Sequence, residues 1–311
     1  MVGCVELRQL QALVAIADHG SFSSAALALH TVQSNVSSHI ARLERELGVQ
    51  LVDRHNGSLT DEGLAVAERA RRVAAEVDAV VADVAALRDR IAGSARIGMI
   101  GTTARWLAPL LLDTMAERHP EVRLMIGDGT SATLEPLLVA GSLDAALVNL
   151  PEANPDLAEK PLFAEDLVLV VPEHHPLARR ETATMSQLDG MRLLLPAPGT
   201  SFRKEIDQAC REFGVRLEAQ AELDGVRLIA SLTLQGYGPA ILPATGVAED
   251  PRVRKVRVGG LPRRTVGVVV RRRWRPSAPA RAMLDVLEEA VAGNLDPANG
   301  LHPPVLGSAC A

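Results

Sequence analysis

The sequence predicts a multidomain α/β chain: a small helical unit containing a helix-turn-helix, one long helix, and a larger region of alternating strands and helices. Three observations predict it. Residues 21–48 hold two helical apolar patterns joined by a two-residue turn. Residues 61–92 carry apolar side chains at unbroken steps of four and three. From Ala95 onward, short β-type runs alternate with helical ones, the order that builds layered α/β domains.

The totals bound what such a chain can do. With 311 residues there is room for more than one domain. The hydrophobic fraction is 47% but aromatics are only 2%, so the cores must be aliphatic. The formal net charge is -5, which argues mildly against a nucleic-acid partner. Residues 1–60 do not reverse that balance: Arg8, Arg42, Arg45 and Arg54 face Glu6, Asp18, Glu44, Glu46 and Asp53. Any attraction to phosphate must be local or helped by helix N-termini. Cys4, Cys210 and Cys310 form no CxxC pair and no metal-ligand spacing. That suits a reducing compartment, and with no signal segment and no membrane-length apolar run it predicts a cytoplasmic protein without a membrane partner.

The first helix runs over Val5–Asp18, burying Leu7, Leu10, Leu13, Val14 and Ile16, and Gly20 ends it. Ser21 and Ser23 are placed to cap a second, short helix, and His30-Thr31 is the turn. Thr31 is then expected to cap a third helix, with Val36, Ile40, Leu43 and Leu47 as its inward stripe. The opposite face carries Gln33, Ser34, Asn35, Ser37, Ser38, His39 and Arg42. Amides, hydroxyls and a guanidinium on one helical face suit base edges and phosphates in a major groove. An ordinary helical hairpin with a solvated face has the same pattern. Gly48 closes the third helix. A short hairpin through Asn56-Gly57 follows, which makes the unit a winged helix-turn-helix.

Thr60 can cap the long helix, expected over residues 61–92. Val66, Ala70, Val73, Val77, Val80, Val84, Leu87 and Ile91 recur with a seven-residue period, the pattern of a coiled-coil seam. The candidate dimerisation residues are Val66, Val73, Val77, Val80, Val84, Leu87 and Ile91.

Beyond Gly93, strands are expected at Ala95–Ile100, Val122–Ile126, Ala145–Asn149, Leu167–Pro172, Met191–Leu195, Glu218–Leu223, Pro239–Leu242, Val253–Val258 and Thr265–Val270. Helices are expected after the turns at Gly101, Gly129 and Gly199, over Val226–Gln235, and over Pro279–Ala292. The pattern reads as parallel α/β, used twice. Residues 294–311, rich in Pro, Gly, Ala and Asn, read as a disordered tail.

Several stretches resemble the LysR-type transcriptional regulators. LRQLQALVAIADHGSFSSAALALH, Gln33-Ser34, Val36-Ser37 and IARLERELGVQL match the family's first three helices, and Leu59-Thr60-Asp61-Glu62-Gly63 its exit from the wing. GSLDAALV, PLFAEDLVLVVPEHHPLA, Gly236-Tyr237-Gly238-Pro239 and RRRWRPSAPARAMLDVL match its sensor half. The resemblance implies residues 1–60 as the DNA-binding domain, 61–92 as the linker helix, and 93–293 as an effector-binding domain. That domain divides into subdomain I (93–165 and 267–293) and subdomain II (166–266), similar to type 2 periplasmic binding proteins. It implies double-stranded DNA at a promoter operator, a small-molecule effector, a homodimer or homotetramer, and RNA polymerase as partners. It implies no enzyme activity and no cofactor. Two positions depart from the family: residues 54–60 are about two short and lack the wing's basic residue, and Ser38 stands where arginine is common. Binding is therefore expected to lean on avidity.

Ligands of open α/β sheets bind outside the carboxyl ends of strands, where helix N-termini favour anions. The expected effector set is Thr102, Thr103, Thr130, Ser131, Asn149, Thr200, Ser201, Phe202 and Arg203, for a small carboxylate or phosphate. Each hydroxyl also suits a simple cap, and Trp106 and Phe202 also suit packing. The DNA-binding set adds Ser23, Thr31 and Arg54 to the exposed face of the third helix. His174-His175 lacks a third ligand at metal spacing, so no metal is expected. Arg271–Arg275 reads as a solvated strand edge. Cys210 has no second cysteine placed to resolve it. A solute-binding protein or an α/β enzyme are the competing classes. Residues 1–63 argue against the first, and the lack of any nucleophile–base pairing against the second.

Overall fold

The computed structural model describes residues 5–53, 57–151, 154–247, 249–273 and 275–304. The N-terminal unit is three helices, α1 (Leu7–His19), α2 (Phe22–Ala28) and α3 (Gln33–Leu47). A reciprocal Glu6–Gln9 capping box starts α1, and Gly20 ends it at φ 74°, a left-handed position that favours glycine. Ser21 caps α2 by accepting from the Ser24 N–H. The cap expected at Thr31 is not made. The chain leaves α2 through His30, itself left-handed, so Val32 takes the N-cap position of α3. The Thr31 hydroxyl instead accepts from the Asn35 amide at 2.9 Å. Val36, Ile40 and Leu43 close on Leu13, Ile16, Leu51 and Val52. Leu47, expected on that stripe, is exposed, because it is the last residue of α3 before the chain turns at Gly48. Val52 and Leu59 form one antiparallel bridge at the base of the wing. The expected Asn56 turn and Arg54 lie outside the described residues.

Helix α4 (Asp61–Ala86) is 26 residues, about 39 Å at 1.5 Å per residue. Thr60 caps it through the Gly63 N–H at 3.0 Å. A Cβ on Gly63 would lie 2.0 Å from the Leu51 carbonyl oxygen, so only glycine lets the helix start this close to the wing. The helix is shorter than the expected 61–92. Leu87 is its C-cap, Asp89 adopts a left-handed conformation, and Ile91 falls in the connection to the next strand. Ile91 is thus no part of a helical seam.

The remaining strands are β1 (Gly93–Ile100), β2 (Val122–Gly129), β3 (Ala145–Leu150), β4 (Leu157–Pro172), β5 (Thr182–Thr184), β6 (Arg192–Pro196), β7 (Glu218–Leu223), β8 (Ala240–Pro243), β9 (Val253–Gly259), β10 (Arg263–Arg271) and β11 (Leu301–His302). The helices are α5 (Gly101–Arg118), α6 (Ser131–Val139), α7 (Ser201–Glu212), α8 (Val226–Leu234) and α9 (Ala278–Gly293). The main sheet runs β2-β1-β3-β10-β4-β9-β5, with β8 and β11 also on β4; β6 and β7 pair separately. β1 is parallel to β2 and β3, but β10 is antiparallel to β3 and β4, and β4 is antiparallel to β8 and β9. The all-parallel reading is corrected accordingly.

β4 is the shared element. Phe163 belongs to one aliphatic core with Ile97, Leu107, Val268 and Leu287, whereas Leu169 belongs to another with Leu193, Ile206 and Ile241. Trp106 packs edge-on to Phe163 at 5.1 Å. The expected disorder from Asn294 is also corrected for residues 294–304. β11 pairs with β4 at Glu165 and Ala164, Leu301 is buried, and His302 Nε2 lies 2.9 Å from the Asp166 carboxylate. Pairing with a strand holds the segment despite its composition.

Candidate DNA interface and effector cleft

Burying Val36, Ile40 and Leu43 turns the other face of α3 outward. Gln33, Ser34, Asn35, Ser37, Ser38 and Arg42 are exposed. The Ser23 hydroxyl donates to Gln33 Oε1 at 3.2 Å, which orients that amide and leaves its NH2 outward. Arg42 makes one surface contact, to Glu6 at 3.4 Å. An exposed pair of this kind is worth little and yields readily to a phosphate. His39 is only half-exposed, with Nδ1 buried and unpartnered, so it sits at the margin of the face. Val32, 59% exposed at the helix entry, was missed as a candidate; an apolar tip there suits a thymine methyl.

In the C-terminal half, α5 begins directly at the end of β1 and faces α8 and the turn at Ala244–Gly246. Between them lies a cavity of about 350 Å³ lined by Gly101, Thr102, Ala104, Arg105, Arg227 and Gly246. Arg227 at the start of α8 reaches Asp128 at the end of β2 at 2.5 Å, an ion pair across the mouth. Beside it, a buried network joins three elements. Glu165 of β4 accepts from Arg264 Nη2 at 2.6 Å and from the Thr245 hydroxyl at 2.7 Å. The Arg264 guanidinium lies 5.3 Å from the Phe202 ring centre, and its Nε is buried without a partner among the described residues. Burial pushes the Glu205 carboxyl up, with Glu165 adding to the effect and Arg264 opposing it. Burial lowers the Lys255 ammonium, Arg105 acts the same way, and Glu249 and Glu165 oppose it. Arg105 and Arg227 are the cations that line the cleft, while Arg264 is held by Glu165 and Lys255 Nζ donates to the Ala244 carbonyl at 2.8 Å.

The expected effector residues divide. Thr102 lines the cavity. Thr103 Oγ1 and Asn149 Oδ1 are buried with no partner among the described residues, near the carboxyl ends of the paired strands β1 and β3. Thr130 caps α6 and Thr200 caps α7, so their hydroxyls are engaged in their own helices. Ser131 and Ser201 stand at the first positions of those helices. Arg203 is corrected as an anion ligand: it binds Asp207 at 2.9 Å, and Glu222 and the Pro196 carbonyl at 3.0 Å each. Arg264 is the cation at Phe202, and sequence spacing could not reveal it. Cys210 is 4% exposed, and burial raises its thiol, with Asp207 adding to this and Arg203 opposing. His175 caps the turn at Pro176 by accepting from the Leu177 N–H. No helix among the described residues is long and apolar enough to cross a membrane.

Residues 7–64 match the model described as bacterial regulatory helix-turn-helix protein, lysR family, and residues 88–292 match the LysR substrate binding domain. The DNA-binding transcriptional dual regulator OxyR of Escherichia coli (strain K12) is 29% identical over 298 residues, 94% of this chain and 96% of its own. A probable hydrogen peroxide-inducible genes activator of Streptomyces viridosporus is 35% identical over 244 residues, 78% of each chain. Among solved structures, a cysteine-to-aspartate variant of full-length OxyR from Pseudomonas aeruginosa is 26% identical with a TM-score of 0.72, covering 92% of this chain and 94% of that one. The fold is also shared with CbnR complexed with its target DNA, at 24% identity and a TM-score of 0.67, covering 92% and 99%.

Proposed function

The chain belongs to the LysR family of DNA-binding transcriptional regulators, and from that premise we propose how its parts divide the work. Residues 1–60 bind a partly palindromic operator through α3, the α4 seam pairs two copies, and the cleft beside Thr102 takes a small anionic metabolite. The observation that carries the DNA reading is the exposed face of α3, with Gln33 at its N-terminal end, the end that enters the groove in helix-turn-helix proteins. The relatives' names point to peroxide, but a thiolate sensor needs an accessible, acidic thiol. Cys210, the cysteine among the described residues, is buried and its thiol is shifted the other way, which supports a bound effector. Arg105 and Arg227 in the cavity wall favour an anion in that role.

Footprinting on DNA upstream of the protein's own gene supplies the operator. Gln33→Ala should then weaken binding to it by about 1–3 kcal/mol per half-site while leaving a scrambled duplex nearly unchanged. Arg42→Ala should weaken both and flatten the salt dependence by about one phosphate per subunit. Fluorescence anisotropy across a salt series reads both. An unchanged ratio of specific to scrambled affinity in Gln33→Ala would remove α3 as the reading element.

A further inference from the structure

We propose a second anion site, separate from the cleft, in the cavity where α4 meets the first α/β core, built for a small polyanion with two or more phosphate or carboxylate groups. This cavity is about 600 Å³, within the range of small-ligand sites. Arg69 and Arg72 wall it from α4, one turn apart on one face, and Arg271, Arg272 and Arg273 wall it from the end of β10. Glu76 and Asp156 are the acidic groups in the same wall, so cations exceed anions five to two.

These arginines have distinct tasks. Arg271 Nη1 donates to the carbonyls of Leu138 and Leu143 at 2.9 and 3.1 Å. Arg272 donates to those of Pro155 and Leu157 at 2.9 and 2.8 Å. Backbone carbonyls thus fix two guanidinium groups in place, where a solvated strand edge was expected. Arg72 reaches Glu68 at 3.1 Å, yet its Nε is buried with no partner among the described residues. The Arg69 and Arg273 side chains are exposed and make no hydrogen bond or ion pair to another described residue. Arg72 and Arg271 both crowd Gly141: a Cβ there would lie 2.8 Å from Arg72 Cγ and 3.4 Å from Arg271 Nη1. Burial lowers the Arg271 guanidinium, with Arg72 acting in the same direction and Asp144 and Glu76 opposing. Crowded cations and a buried N–H without an acceptor are relieved by an anion, and arginine forks match phosphate and carboxylate oxygens. Because one wall is α4 and the other is the sensor, an occupant fixes the angle between them.

The test uses the full-length protein with tripolyphosphate and citrate as probes, read by calorimetry and thermal shift. Arg69→Gln with Arg273→Gln removes the two unpartnered arms without touching a structural contact. Arg179→Gln with Arg180→Gln removes the same charge from an exposed surface of the other subdomain. Tripolyphosphate affinity should fall tenfold or more in the first pair and less than twofold in the second. Equal losses in the two pairs, or no binding by the wild-type protein, would overturn the site. Operator binding is measured alongside. If the first pair weakens DNA binding and its salt slope while tripolyphosphate affinity holds, these arginines serve the DNA backbone and the proposal fails.

Discussion

Glu205 shows how much one residue's surroundings decide. It lies near Glu165 and Arg264 on α7, and burial raises its carboxyl from its ordinary value. A carboxyl raised in the folded state stabilises the fold below its unfolded pKa, and that stability is lost as pH rises through the folded value. Glu205→Gln should therefore melt higher than the wild type at neutral pH, and the gain should vanish below about pH 4, where the unfolded carboxyl is also protonated. Melting curves over this range check it; a gain that persists at acid pH would assign the effect to packing. Some residue roles were readable in the chain: Ser21, Gly48 and Thr60 sit where helix ends need them. Arg203 reads as an effector ligand in the sequence, and the signal against that reading is Asp207, four residues on along the same helix. Arg264 was not readable, because Glu165 is 99 residues away and only the antiparallel β4–β10 pairing brings them together.

Among elements, α4 is left with an uncovered apolar face. Val73, Val77, Val80 and Val84 are all more than 40% exposed, in line along the helix. The opposite side is engaged: Ala67 joins the N-terminal core, Asp18 holds Arg71 at 2.6 Å, and Asp83 accepts from the Ala278 N–H at 3.0 Å. Val77→Asp with Val84→Asp puts four carboxylates into the seam of a dimer. Association can bury only the exposed half of each of the four valines, roughly 0.7 kcal/mol apiece, so their loss should raise the dissociation constant on the order of 10²-fold before the repulsion among four carboxylates adds to it. Light scattering should then show monomers at micromolar concentration; an unchanged mass would move the interface elsewhere. The exposed valine stripe was legible because a seven-residue period needs no tertiary knowledge. Its end was not, since Leu87 and Ile91 continue the period after the helix has stopped at Ala86. Strand positions were legible but not strand direction: alternation looks the same whichever way a strand runs. The first half of β4 was missed because Glu159, Lys160 and Pro161 interrupt its apolar run.

For the molecule as a whole, what matters is how two cores joined through β4 respond to something between them. The Asp128–Arg227 pair joins β2, which packs on the Phe163 core, to α8, whose Ile229 and Ala230 pack against Val168 and Val170 of β4. Arg227 is mostly exposed, so the contact should contribute only about 0.2–1 kcal/mol. That is too little to hold the fold, and enough to shift an open–closed equilibrium by up to about fivefold. Asp128→Asn and Arg227→Gln, singly and together, should leave the main melting transition almost unmoved. Amide exchange should rise at the start of α8 and around Gly101, and nowhere in the N-terminal unit. The double variant should exchange no faster than either single one, because the first substitution already removes the contact. An anionic effector that settles on Arg105 at the N-terminal end of α5 should suppress the added exchange in all three variants, since it closes the cleft from inside. If the single variants exchange as the wild type does, the ion pair has no part in closure, and the backbone crossings at β4 and β10 alone set the cleft's width.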